Sequence, residues 1–231
     1  MMHYHPFVAC LQAMTWWEPK SALCDWRVSG MPHSESKQLL GVVPEDLRHA
    51  SVLLLVRAGR VEPKVILTRR SRALRTHANL WSLPGGKADA NDADALDTAI
   101  RETSEELGIL PNTISVLGRL PDHILVESRY RLAVFLGLLE DSVVLNPRYE
   151  EVAEVIELPL SVLLEPRYRI SRLRTLGSLE FLVEDIVYNQ VHIWGSTAGV
   201  LVTLSRLLFG EHPDEKVEKL AKYNSLTKLP T

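Results

Sequence analysis

Glu102, Glu105 and Glu106 fall close together in the run Arg101-Glu102-Thr103-Ser104-Glu105-Glu106-Leu107-Gly108. On a helix, positions four apart share a face, and the neighbouring position lies beside them, so this spacing brings three carboxylates together. Asp89, Asp92 and Asp94 come just before, with Arg101 as the nearby cation. Like charges at helical spacing cost about 0.2–0.5 kcal/mol per pair, so such a cluster calls for a counter-ion. A hard divalent cation with oxygen ligands, Mg²⁺ or Mn²⁺, supplies it. Acidic helix faces are commonly just solvated, and three glutamates alone would not depart from that. The fixed order Arg-Glu-x-x-Glu-Glu-x-Gly does, since at ordinary residue usage it arises by chance in a chain of this size on the order of a few times in ten thousand.

The surrounding rhythm supplies the element that must carry this face. Leu96, Ala99, Ile100, Thr103 and Leu107 recur at three- and four-residue steps, which predicts a helix over 94–107 with Gly108 as its cap. Residues 79–83 read as a strand that stops at Pro84-Gly85-Gly86. Residues 51–57 and 64–69 predict two strands paired across a turn at Ala58-Gly59-Arg60, and 71–78 a polar, basic loop. Further strands are expected at 115–120, 130–139, 153–158 and 179–188, a short proline-started helix at 159–164 and an apolar-striped helix at 196–208. Residues 1–48 read as an irregular N-terminal extension, 49–210 as the domain and 211–231 as a charged tail.

The whole chain limits the choices further. Its 231 residues, 46% hydrophobic and 24% charged, suffice for one generous core. A net charge of −3 gives no basic excess, so neither bulk nucleic acid nor an anionic membrane is an expected partner. A small phosphate-rich ligand needs only a few local cations, and Arg69, Arg70, Arg72 and Arg75 offer forked donors within one stretch. Cys10 and Cys24 form no CxxC pair, and no apolar run is long enough to span a bilayer. The first cation is Lys20 and the chain ends Lys228-Leu229-Pro230-Thr231, so the expected location is the cytoplasm, with peroxisome and mitochondrion as alternatives.

The glutamate run resembles the signature of the Nudix hydrolases, Gly-x5-Glu-x7-Arg-Glu-apolar-x-Glu-Glu-x-Gly-apolar. Arg101, Glu102, Glu105, Glu106, Gly108 and Ile109 match it, while the front half departs. From Gly86, five residues lead to Asp92 rather than Glu, eight more lead to Arg101, and Thr103 replaces an apolar residue. The preceding stretch, 67–86, is similar to the segment ahead of the signature in coenzyme A pyrophosphatases through Thr68, Arg70, Ser71, Leu74, Arg75, His77, Pro84, Gly85 and Gly86. Asn79 stands for a glycine there and Leu83 for a phenylalanine. Asn is the residue after Gly that best tolerates positive φ, so a turn at 79 can survive.

The resemblance implies an α/β fold, the Nudix α/β/α sandwich with a mixed β-sheet between helices. It implies metal binding by Glu102 and Glu106, with Glu105 and the backbone of Gly86 contributing, and Glu105 as general base. The acids Glu150, Glu151 and Glu154 stay open for that last role. Arg70, Arg75 and His77 are the implied substrate-binding residues; Arg101, Gly85 and Gly108 are structural. Trp194 and Thr197 are expected in the core and at a helix start. The implied reaction is hydrolysis of the diphosphate bond of coenzyme A or a derivative; other nucleoside diphosphate compounds, and a catalytically silent binding protein, are the alternatives.

Overall fold

The runs around 53 and 134 are apolar almost without alternation, as expected of strands covered on both faces. The computed structural model places them side by side at the centre of a sheet. It describes residues 6–14, 26–28, 46–59, 61–71, 79–176 and 179–208. In chain order the elements are α1 (Pro6–Ala13), β1 (Trp26–Val28), β2 (Arg48–Ala58), β3 (Lys64–Arg70), β4 (Trp81–Ser82), β5 (Gly85–Lys87), α2 (Ala95–Leu107), β6 (Ile114–Leu125), β7 (Tyr130–Glu140), β8 (Val152–Pro159), α3 (Leu160–Leu164), β9 (Arg169–Leu176), β10 (Leu179–Tyr188), β11 (Val191–Ile193) and α4 (Gly195–Leu208). Short 3₁₀ turns at Pro111–Thr113 and Pro166–Tyr168 precede β6 and β9.

The main sheet is mixed. Its order is β1-β6-β7-β2-β3-β4, with β5 also on β2 and β8 on β3. β2 runs parallel to β7 along its whole length, from Arg48 opposite Tyr130 to Ala58 opposite Glu140. The expected pairing of β2 with β3 exists, but only at Val56–Val65 and Arg57–Lys64. Side chains alternate across the sheet, so Leu53 and Leu55 meet Ala99 and Leu107 of α2 on one face. Leu54 and Val56 join Leu201 and Leu204 of α4 on the other. Helices therefore cover both faces, which is the α/β/α sandwich with a mixed sheet. β9, β10 and β11 form a separate antiparallel sheet whose Ile186 and Ile193 belong to the core on the α4 side.

Several elements differ from the sequence reading. α1 and β1 lie where irregular chain was expected; Val8 and Leu11 are fully buried in the α4-side core, and β1 pairs in parallel with β6. Gly85–Lys87 is a strand rather than a plain turn, because β2 pairs with it opposite Ala50–Val52. β9 has no counterpart in the reading; its Arg–apolar alternation gives no continuous apolar run, and pairing with β10 fixes it. The expected tail at 211–231 lies outside the described residues. Among the described residues, no helix is long and apolar enough to cross a membrane.

Candidate active site

Asp94 caps α2 by accepting the N–H groups of Leu96 and Asp97, each at 2.9 Å. At the other end Gly108 takes φ 61°, ψ 38° and donates its N–H to Ser104. A side chain at Gly108 would collide with the carbonyl of Asn146, so this glycine serves both as left-handed cap and as a contact point. Between the caps, Ala99, Thr103 and Leu107 are buried. Thr103 is buried at the position where the signature has an apolar residue, and its hydroxyl has no hydrogen-bond partner among the described residues.

The rest of the helix presents Glu102, Glu105 and Glu106. Their exposure is graded: the side chain of Glu106 is 6% exposed, that of Glu102 20% and that of Glu105 43%. Arg101 binds this row to the preceding loop. Its Nε and Nη2 donate to the two carboxylate oxygens of Asp92 at 2.7 and 2.9 Å, and Nη2 lies 3.0 Å from Glu102. Asp92, in doubt from the departing front half of the signature, is thus the anchor of Arg101, and it also accepts the Thr98 hydroxyl at 2.8 Å. The guanidinium holds the Asp92 carboxyl far below the usual carboxylate range.

Glu106 is the unusual group. Burial pushes its pKa up to about 8, the charges of Glu102 and Glu151 add to the rise, and Arg70 and the Gly85 N–H oppose it. Nη1 of Arg70 lies 3.9 Å from its Oε1, and its buried Oε2 has no hydrogen-bond partner among the described residues. Glu102 is also raised, first by burial, with Glu105 and Glu151 adding to it. The carboxylate of Glu102 presses on Gly86 so closely that any side chain there would overlap it. Gly85, at φ 142°, lies against Ser51 and Val52 of β2, where a side chain would strike backbone.

Among the described residues no three acidic, histidine or cysteine side chains already converge as a ligand set. Arg101 draws Glu102 and Glu105 toward itself, Glu105 at 3.6 Å. The donor set nevertheless fits a hard cation: a buried carboxylate oxygen without a partner, a second carboxylate packed on a glycine backbone and a third at the rim.

The remaining predicted residues divide. Arg70 reaches the carboxylate face, whereas Arg72, Arg75 and His77 lie outside the described residues. Asn79 adopts φ 63°, as its place in a glycine position required. Of the open acids, Glu151 interacts with Glu102 and Glu106, while Glu154 pairs with Arg69 at 2.5 Å and Glu150 is exposed. The position of Glu151 depends on the Ser71 N–H bonding its carbonyl at 2.8 Å, a contact across 80 residues that spacing does not reveal. Thr197 is buried and donates its hydroxyl to the Trp81 carbonyl at 3.1 Å, as a core helix-start residue should. Trp194 departs from expectation: it is 41% exposed.

Fold and site define an α/β/α sandwich carrying a carboxylate-faced helix beneath a glycine-rich strand. A family model, the NUDIX domain, matches residues 47–176, and the chain belongs to that family. An "Uncharacterized Nudix hydrolase NudL" of Yersinia enterocolitica is 47% identical over 72 residues, 31% of this chain and 36% of that protein. The NudL of Yersinia pestis is 45% identical over 73 residues, 32% and 36% respectively. The match spans about a third of the length of these relatives. Among solved structures, a MutT/nudix family protein from Enterococcus faecalis gives a TM-score of 0.46 at 18% identity, covering 74% of this chain and 66% of that one. A C. elegans Ap4A hydrolase gives 0.42 at 19%, covering 50% and 82%.

Proposed function

We propose that the chain is a divalent-metal-dependent diphosphatase acting on coenzyme A or a derivative. The observation that carries the hydrolase reading is Glu106, a buried carboxylate beside Glu102 and Gly85 with one oxygen unpartnered among the described residues. A buried carboxylate of this kind is costly unless a cation completes it. Glu102 and Glu106, with Glu105 and the Gly86 backbone, would hold Mg²⁺ or Mn²⁺. When bound, such an ion neutralises the diphosphate oxygens and lowers the pKa of a water.

The chain's own residues supply the rest. Glu105, the most exposed of the three, accepts the proton of the attacking water, and Glu151 is the alternative base. The water oxygen bonds to one phosphorus as the bridging P–O bond breaks and its electrons leave with the other phosphate. On coenzyme A the products are adenosine 3′,5′-bisphosphate and 4′-phosphopantetheine. Arg101, held by Asp92, keeps Glu102 and Glu105 in place, and Arg70 offers a forked donor to phosphate oxygen, with Arg75 and His77 expected beside it. The coenzyme A preference rests on the resemblance of residues 67–86 and on Arg70 standing at the carboxylate face.

The deciding measurement is a comparison of coenzyme A, dephospho-coenzyme A and ADP-ribose as substrates with Mg²⁺ or Mn²⁺, products identified by mass. Coenzyme A is expected to give the highest kcat/KM, and Arg70→Ala with Arg75→Ala to narrow the gap. ADP-ribose proving better by a wide margin would overturn the coenzyme A assignment and leave a Nudix hydrolase of another substrate.

A further inference from the structure

The loop from β7 to β8 crosses the C-terminal end of α2. Its first half is fixed: Arg57 donates to the Val143 carbonyl at 2.8 Å, and Val143 and Leu145 pack on the α2-side core. The next residues reach the helix. A helix leaves its last carbonyls without partners of its own. Here the Asn146 N–H donates to the Leu107 carbonyl at 2.8 Å, and the Arg148 N–H to the Glu106 carbonyl at 3.0 Å. Pro147 stands between the two donors and fixes φ there. Gly108 makes the crossing possible, since a side chain on it would overlap the Asn146 carbonyl.

This stretch leads directly to Glu151. The N–H groups of Glu151 and Val152 both donate to the Arg148 carbonyl, at 3.0 and 2.9 Å, so a tight turn hangs from the residue bonded to Glu106. From the other side the Ser71 N–H holds the Glu151 carbonyl at 2.8 Å, one residue after Arg70, whose guanidinium reaches Glu106. Glu151 is thereby brought to the carboxylate face: burial raises the pKa of Glu102 and Glu106, and the Glu151 charge adds to it. The side chains of Arg148 and Glu151 also pair, at 3.5 Å, but both are nearly half exposed and the pair contributes little beside the backbone bonds. A fourth carboxylate at this face is unfavourable without a cation. Glu106 gives the independent sign of one, with a side chain 6% exposed and an Oε2 that has no hydrogen-bond partner among the described residues.

We propose that residues 146–148 are a positioning strap: bonded to the last two carbonyls of α2, they hold Glu151 where its charge strengthens cation binding at Glu102 and Glu106. Pro147 and the Arg148 N–H are the positioning groups, and neither touches the ion. The assignment rests on the metal-dependent reading given above, and its test is separable from it because it compares cation binding among variants without substrate.

The probe is Mn²⁺, titrated into the full-length chain and followed by the electron paramagnetic resonance signal of the free ion. Glu151→Gln is expected to weaken binding about ten-fold, the effect of one nearby carboxylate on a divalent ion through water. Arg148→Pro removes the N–H on Glu106 and is expected to approach that loss, while Arg148→Ala, which keeps the N–H, stays near wild type. In a Glu151→Gln background Arg148→Pro is expected to add almost nothing, because the two changes act through one group. Should Arg148→Pro not fold, as its melting curve would show, Pro147→Gly carries the same cycle with a smaller loss of about two- to five-fold. Wild-type Mn²⁺ affinity in the folded strap variants overturns the proposal. So does a loss that persists undiminished beside Glu151→Gln, which would mean that the strap acts on α2 alone, and so does Arg148→Ala losing as much as Arg148→Pro. If the coupling appears as expected while coenzyme A is not hydrolysed, the strap stands and the coenzyme A reading falls. A wild-type chain that binds no Mn²⁺ removes the metal reading and the strap with it.

Discussion

Glu106 joins two properties that conflict in a metal-free protein: it is buried, and one of its oxygens has no hydrogen-bond partner among the described residues. Its place between Glu102, Gly85 and Arg70 gives that oxygen no hydrogen bond among the described residues, and the proposed cation would complete it. Replacing it with Gln keeps shape and removes the charge a cation needs. Glu106→Gln is expected to lower kcat by several powers of ten while circular dichroism stays unchanged, and excess chelator to abolish activity in the wild type. Hydrolysis undiminished by chelator would remove the metal from the account. The two candidate bases separate by the same reasoning. Glu105 is half-exposed at the rim, and Glu151 reaches the site from a loop. A lost general base costs about 10²–10⁴-fold. Glu105→Gln is expected to fall in that range and Glu151→Gln well short of it, with kcat measured at saturating metal. The reverse order would transfer the role to Glu151.

The glutamate face functions only if α2 is docked, and at the scale of elements the docking depends on Asp92. Its two oxygens take the Arg101 fork, and one of them also takes the Thr98 hydroxyl and the Asp89 N–H. Asp92→Asn breaks a charge-assisted pair and is expected to cost about 1.5–3 kcal/mol in urea unfolding at neutral pH. Because the folded carboxyl is depressed, its contribution is complete above the unfolded carboxylate's range near pH 4 and is lost as pH falls below that range. The difference between wild type and variant should therefore shrink on acidification from pH 6 to pH 3; a constant difference would mean the charge is not its source. α2 itself was readable in advance, since caps, apolar period and acidic face all reside in one local stretch. β2 and β7 were readable as strands, but not as parallel partners, because their continuous apolar runs carry no register. β5 was hidden because Gly85 and Gly86 look like a turn until β2 lies beside them. The role of Asp92 was hidden by its extra-residue spacing from Arg101, which only the folded loop reconciles.

For the molecule as a whole, the open question raised by the sequence is how much the residues ahead of the family match contribute. The NUDIX match begins at 47, yet Val8 and Leu11 of α1 are fully buried in the same core cluster as Leu54, Leu136 and Leu204. Pro6–Ala13 is mostly apolar and carries no charge, so periodicity did not single out a helix there; a neighbouring core was needed to choose its buried face. A leucine with no exposed surface inside a core cluster is worth more than its own transfer energy, because the structure around a cavity relaxes only in part. Leu11→Ala is expected to destabilise by about 2–5 kcal/mol, and each kcal/mol to lower the melting temperature by roughly 2–4 °C in a chain of this size. Ala9→Ser, on the exposed side of the same helix, is the control and should leave the melting temperature almost unchanged. The carboxylate face lies across the sheet from α1, on the α2 side. Leu11→Ala should therefore keep its kcat at temperatures where it remains folded. A melting temperature equal to wild type would show that α1 is not part of the core, and a fall in kcat without a fall in stability would show that it acts on the site instead.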